Sequence, residues 1–157
     1  MKKFYLITTL MITFFIPSIT FGNVIDKLNE TGKFTKLNET LVKSGLLESL
    51  KGDGPFTVFA PLDDAFAAIS AKTYYGLLRE ENKKKLVNIL GRHVFSKKLS
   101  SSDVNGEIKL AAINGEEITI KKVNGIIYIN EAEVVTADVE VSNGVIHFIN
   151  RVLQPLK

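Results

Sequence analysis

The stretch Thr57-Val58-Phe59-Ala60-Pro61-Leu62-Asp63-Asp64-Ala65-Phe66 decides the fold when it is read with Ala137-Asp138-Val139-Glu140-Val141-Ser142-Asn143-Gly144-Val145-Ile146-His147-Phe148-Ile149-Asn150-Arg151-Val152-Leu153-Gln154-Pro155. Phe56 to Ala60 is apolar with a β-branched centre, the pattern of a buried strand. Pro61 has no N–H to give to a ladder, so the strand stops there. Asp63 or Asp64 can then accept from the free amides of a helix start and complement its dipole. Ala65, Phe66, Ala67, Ala68 and Ile69 supply the apolar face of that helix. Capping outweighs a metal or acid–base role for Asp63 and Asp64, because adjacent residues on a helix do not face each other.

The later stretch reads as a hairpin. Val139 and Val141 alternate with polar residues, and Asn143-Gly144 offers the positive φ angles of a type I′ turn. Val145 to Val152 follows as a strand, closed by Pro155. His147 lies inside it between Ile146 and Phe148. It reads as a core histidine bonded to backbone or a buried hydroxyl rather than as a ligand or base. A third segment, Leu86 to Phe95, carries a helix face at Leu86, Ile89 and Leu90 that breaks at Gly91, and His93 then opens a short strand.

Outward from these segments, the chain divides into a helical half and a β half. Val24, Ile25 and Leu28 fit one helix face, interrupted at Gly32. Phe34, Leu37, Leu41 and Val42 fit a second helix ended by Gly45, and Leu46, Leu47 and Leu50 make a third short turn before the loop Gly52-Asp53-Gly54-Pro55. Asn29 and Asn38 each begin an Asn-x-Thr sequon. Beyond residue 105 the pattern alternates. Ile108–Ile113 and Glu116–Lys121 flank Asn114-Gly115, and Glu116–Lys121 and Ile126–Asn130 flank Val123-Asn124-Gly125, two hairpin signals. Helices ahead of antiparallel strands predict an α+β domain.

The two long stretches, in this order and at this separation, resemble the signature blocks of the fasciclin domain family, and the exported single-domain members in particular. The resemblance covers the helical half as well, including Gly45 to Pro61. It implies a wedge of two β-sheets with helices packed along one side, filling residues 23–157 as a single domain. It marks Thr57, Phe59, Pro61, Asp63, Phe66, Asn143, Gly144 and His147 as structural signature positions. The chain departs from the family at Leu62, where Thr or Ser is usual. It departs again at Arg92-His93, where the family typically has Tyr-His, a pair linked to adhesion in animal members. Ala137-Asp138-Val139 is the nearest match to an Asp-Ile adhesion element of those members.

The start of the chain reads as a secretory leader. Met1-Lys2-Lys3 is charged, Phe4 to Thr20 is mostly apolar, and Thr20 and Gly22 are small residues placed for cleavage after Gly22. An uncleaved anchor is the competing reading, since the apolar run reaches the lower limit of a spanning helix. Residues 1–22 are therefore expected to be a signal peptide, and about 135 residues remain, enough to bury roughly two thirds of the unfolded surface. The sequence has no Cys, so an exported chain must rely on its core. The formal charge of +3 falls to near balance once Lys2 and Lys3 are removed. Lys83-Lys84-Lys85 follows Glu80-Glu81 and reads as a solvated helix face, so nucleic-acid binding is not expected.

No Gly-x-Ser-x-Gly turn, phosphate-cradling loop or zinc-ligand spacing is present. The expectation is a non-enzymatic binding module without cofactor or metal, exported to the periplasm or beyond the cell. Its partner would be a protein or polysaccharide at a cell surface or matrix, and no membrane span would remain after cleavage. The candidate contact residues are Arg92, His93, Asp138, Tyr74 and Tyr75, together with the loop Lys97 to Asn105, although for His93 packing and hydrogen bonding outweigh a contact role. Tyr74 and Tyr75 are expected to split, one packing inward and one facing solvent. The competing reading is a periplasmic small-ligand or envelope-maintenance protein with no adhesive role. Phe59→Ala is expected to cost roughly 3–5 kcal/mol, and Arg92→Ala almost nothing.

Overall fold

The structure, a computed structural model, describes residues 21–154. Of the leader expected over residues 1–22, residues 1–20 lie outside the described residues, as does Pro155. Three helices come first: α1 (Val24–Thr31), α2 (Thr35–Ser44) and α3 (Leu46–Ser49). Asn23 opens α1 with a full capping box to Asp26, satisfying two otherwise free amides. Val24, Ile25 and Leu28 are buried on one face as their spacing predicts. In α2, Leu37 and Leu41 are buried while Val42 is 62% exposed. One residue past Leu41 is about 100° around the helix, which carries Val42 off the buried stripe.

Strand β1 (Phe56–Pro61) follows and ends at Pro61 as expected. The next segment, Asp63–Ala68, is a 3-10 turn, with only Ala65 and Phe66 buried. No side chain caps its start. The carboxylate of Asp63 accepts instead from the amides of Lys36 (2.8 Å) and Thr35 (3.2 Å), the open N-terminus of α2. Asp63 therefore caps a helix, as the sequence suggests, but one 28 positions upstream. The helices α4 (Ala71–Leu77) and α5 (Lys83–Gly91) lead into the two-residue strand β2 (Val94–Phe95).

The remaining strands are β3 (Glu107–Ala111), β4 (Glu117–Val123), β5 (Ile126–Ile129), β6 (Ala132–Val141) and β7 (Gly144–Ile149). Their order is β2-β1-β7-β6-β5-β4-β3. Every pairing is antiparallel except β1 with β7, which run parallel with Phe59 opposite His147. Strand β6 changes partner along its length. Ala132 and Glu133 pair with β5, while Val134 to Val141 follow β7 through two register shifts. The two sheets of the wedge meet at this strand. A backbone bond from Ile113 N–H to the Val94 carbonyl, 2.9 Å, brings the β3 end of the order back toward β2.

Alternation along β1 and β7 creates two cores. Val58, Ala60 and Ile146 face the helices and pack with Val24, Leu28, Phe34 and Leu37. Phe59 and Ile149 face the other way and pack with Ile118, Ile120 and Ile129 between the sheets. The α+β composition is thus what the pattern predicts, and the wedge with helices along one side is what the family resemblance implies.

The turn between β6 and β7 is a correction. Asn143 and Gly144 are not among the residues with positive φ. A Cβ on Gly144 would lie 1.9 Å from the Phe56 carbonyl oxygen, so glycine is needed there for the close approach of β1. Of the other two Asn-Gly hairpin signals, Asn124 (51°) and Gly125 (82°) both have positive φ and form the I′-type turn between β4 and β5, while at Asn114-Gly115 only the glycine does (84°).

Candidate functional site

The polar residues singled out from sequence converge on two junctions. At the first, α5 turns into β2. His93 is 2% exposed, and both ring nitrogens are engaged by backbone. Its Nε2 accepts from the Leu153 amide at 2.9 Å, so Nδ1 carries the proton and donates to the Ile89 carbonyl, also at 2.9 Å. Burial, aided by the neighbouring Arg92 charge, pushes its pKa down to about 4. The ring is neutral and ties the end of α5 to the chain after β7.

Arg92 is 4% exposed. Its guanidinium donates to Glu116 at 2.6 Å and forms an ion pair with it, while its Nε–H has no partner. The Arg92 hydrogen bond holds the Glu116 carboxyl below its ordinary value. Both residues of the Arg92-His93 pair therefore point into the fold, and neither presents a surface to a partner.

The second junction is the loop after β2. Thr57, fully buried in β1, donates its hydroxyl to the Lys97 carbonyl and accepts from the Leu99 amide at 2.8 Å. His147 donates from Nε2 to the Leu99 carbonyl (2.7 Å), because its Nδ1 accepts from the Asp138 amide (3.1 Å). Its ring stacks on Phe59 with centroids 5.0 Å apart, and burial lowers its pKa. Asp138 has a φ of 60° within the irregular part of β6. Its carboxylate accepts from the Ser101 amide at 2.7 Å and from the Ser101 hydroxyl. Burial raises the Asp138 pKa, but these Ser101 bonds outweigh it and leave the group below the ordinary range. The loop Lys97 to Asn105 is thus fastened by Thr57, Asp138 and His147, with Leu99 and Val104 buried beneath it.

This constellation has Ser, His and Asp side by side without the wiring of a nucleophile. In a triad the histidine takes the proton of the serine hydroxyl. Here the Ser101 hydroxyl bonds Asp138, and both nitrogens of His147 are committed to backbone. Among the described residues, no group of three or more His, Cys, Asp or Glu is placed to hold a metal ion. No helix among them is long and apolar enough to cross a membrane.

The tyrosines split as expected. Tyr74 is 7% exposed and donates its hydroxyl to Glu39 at 2.6 Å; burial and that carboxylate raise its pKa. Tyr75 is 65% exposed, its ring edge-to-face with Tyr74 at 5.3 Å. The helices also enclose a cavity of about 250 Å³, which the sequence did not reveal. It is lined by Phe66, Tyr74, Leu77, Ile89, Leu90 and Val152, from the 3-10 turn, α4, α5 and the segment after β7. Each apolar residue reads simply as core, and the gap exists only where α4, α5, the 3-10 turn and the segment after β7 come together.

Helices back a β wedge, and both histidines serve as ties between backbones, so these polar residues belong to the scaffold. Residues 32–155 match the Fasciclin domain family, and this chain belongs to it. The chain is 47% identical over 128 residues to Protein sll1483 of Synechocystis sp., a match covering 81% of this chain and 69% of that protein. It is 35% identical over 134 residues to the transforming growth factor-beta-induced protein ig-h3 of Sus scrofa, covering 85% of this chain but only 19% of the relative. A solved FAS1 domain pair from the insect cell adhesion molecule Fasciclin I shares the fold, with a TM-score of 0.75 at 21% identity. That match covers 87% of this chain and 52% of the insect chain.

Proposed function

We propose that this chain is an exported, non-enzymatic binding module of the fasciclin type that mediates contact at a cell surface or in a matrix. Residues 1–22 are its signal peptide and 23–157 its single domain. Its partner is a protein or polysaccharide met in the periplasm or outside the cell. The observation that carries this reading is Tyr75. It is a large aromatic held outward by the buried Tyr74 beside it, on a chain whose family includes an insect cell adhesion molecule. Tyrosine offers a large contact area at low entropy cost and is common among the residues that dominate interfaces. Asp138, on the exposed side of β6, is the second contact candidate. Arg92, His93 and Tyr74 support the surface from within.

The test is attachment of the immobilised full chain to intact cells and to matrix extracts, at low and high salt. Saturable attachment that falls at least tenfold in Tyr75→Ala, with an unchanged melting temperature, is the expected result. No attachment by a well-folded wild type would overturn it and favour the small-ligand reading.

A further inference from the structure

We infer that the cavity between α4 and α5 is a binding site for a small carboxylic acid with an apolar body of about eight carbons. An apolar cavity of about 150 Å³ takes up benzene. By that measure the 250 Å³ here holds roughly ten non-hydrogen atoms. Its wall is mainly hydrocarbon and aromatic, with Thr40, Thr73 and His93 among the apolar residues, so it favours an apolar guest over water. The mouth differs. Lys85 and Gln154, both exposed, lie on its rim. Lys83, two residues earlier, pairs with Glu80, whereas Lys85 makes no ion pair among the described residues. An apolar chamber with an uncommitted ammonium and an amide at its opening matches an acid whose tail enters and whose carboxylate stays at the rim.

The polar groups of the wall are already committed: the Tyr74 hydroxyl donates to Glu39 at 2.6 Å and the Thr73 hydroxyl bonds the Ser70 hydroxyl at 2.9 Å. The His93 ring is committed to Ile89 and Leu153, and the Thr40 hydroxyl donates to the Leu37 carbonyl at 2.7 Å. Specificity therefore comes from length and head-group charge. The site does not depend on Tyr75 or on attachment to cells, so this inference and the surface-contact reading stand or fall separately.

The experiment is calorimetric titration of the full chain with octanoate, butyrate and octanol, with amide NMR to locate the site. Octanoate should bind saturably and shift the amides of Thr73, Leu77 and Leu90, while butyrate, too short to fill the chamber, should bind at least tenfold more weakly. Lys85→Ala should weaken octanoate about fivefold, the scale of one exposed charge pair, and leave octanol unchanged. Leu77→Trp, which fills the chamber, should abolish both. Phosphatidylglycerol vesicles, offered as an alternative source of an acyl chain with an anionic head, should not cosediment with the protein, because two long chains exceed the cavity. The inference is overturned by absence of octanoate heat at millimolar concentration, by shifts confined to other surfaces, or by vesicle binding in place of free acid. Octanoate affinity insensitive to Lys85→Ala equally removes the carboxylate from the assignment. The lysine arm and the NMR map decide the matter even if Leu77→Trp fails to fold.

Discussion

His93 and His147 are neutral because protonation would force a second N–H against an amide that is already donating. For His93 that amide is Leu153, and for His147 it is Asp138. The folded pKa of His93 lies at about 4, below the ordinary 6.5, so between these values the unfolded chain binds a proton that the folded chain refuses. Stability is complete above pH 6.5 and declines as pH falls toward 4, by roughly 3 kcal/mol for this one group. His147 is shifted the same way and adds to the loss. Denaturant midpoints should therefore drop steadily from pH 7 to pH 4.5, and His93→Gln should show a shallower slope than wild type. A parallel slope in that variant would show that the acid sensitivity lies elsewhere. Arg92 also belongs at this scale. The expectation that Arg92→Ala is neutral rests on an exposed side chain, whereas Arg92 is 4% exposed and paired with Glu116. Arg92→Ala should cost about 1–3 kcal/mol in urea unfolding, through the lost packing of its buried stem and the loss of its bond to the half-exposed Glu116. Arg92→Met, which keeps the stem, should recover part of it.

Among the elements, the β6–β7 turn shows how a correct position can carry a mistaken cause. Asn143-Gly144 was legible as a turn, but its chemistry is tertiary. The Asn143 side chain accepts from Val24 N–H (3.0 Å) and donates to the carbonyls of Leu50 and Gly52 (2.8 Å each). One side chain thus fastens the start of α1 and the end of α3 to the sheet. Asn143→Ala should lower stability by about 2–4 kcal/mol, since buried groups lose their partners. Gly144→Ala should be worse, often unfolded on expression, because the new methyl meets backbone rather than a movable side chain. Gly125→Ala meets open space and should cost only about 1 kcal/mol, from its φ of 82°. Thermal melts of these variants would rank the causes, and equal losses at Gly144 and Gly125 would refute the close-approach account. Asp63 teaches the same lesson. A carboxylate near a helix start is legible from sequence, but which helix it caps depends on what folds beside it.

At the scale of the whole molecule, β1 is the hinge of both cores. It lies between β2 and β7, and its parallel partner comes more than eighty residues later. Phe59 is 1% exposed, so Phe59→Ala should cost roughly 3–5 kcal/mol in a denaturant melt. A chain cut before Gly144 loses the whole β7 pairing and the Ile146 and Ile149 contributions to both cores, and should show no cooperative unfolding transition. A sharp melt in that truncated chain would mean that the helices and β3–β6 form a stable unit without it. The sequence by itself determined what local pattern can determine: the helical and β halves, the buried face of α1, the end of β1 at Pro61, the two Asn-Gly hairpins of the β half, and a family resemblance that the fold bears out. It marked His147 as a core histidine through its apolar neighbours, but it could not decide where Arg92 or Thr57 would be spent, because an arginine or a threonine has the same local signature on a surface as in a core. Only the packing of distant segments turned Arg92 and His93 inward, fastened the Lys97–Asn105 loop with Thr57, Asp138 and His147, and left a cavity between α4 and α5. Periodicity reports which face of an element is apolar; what that face meets, and how well it fits, is fixed only when the elements come together.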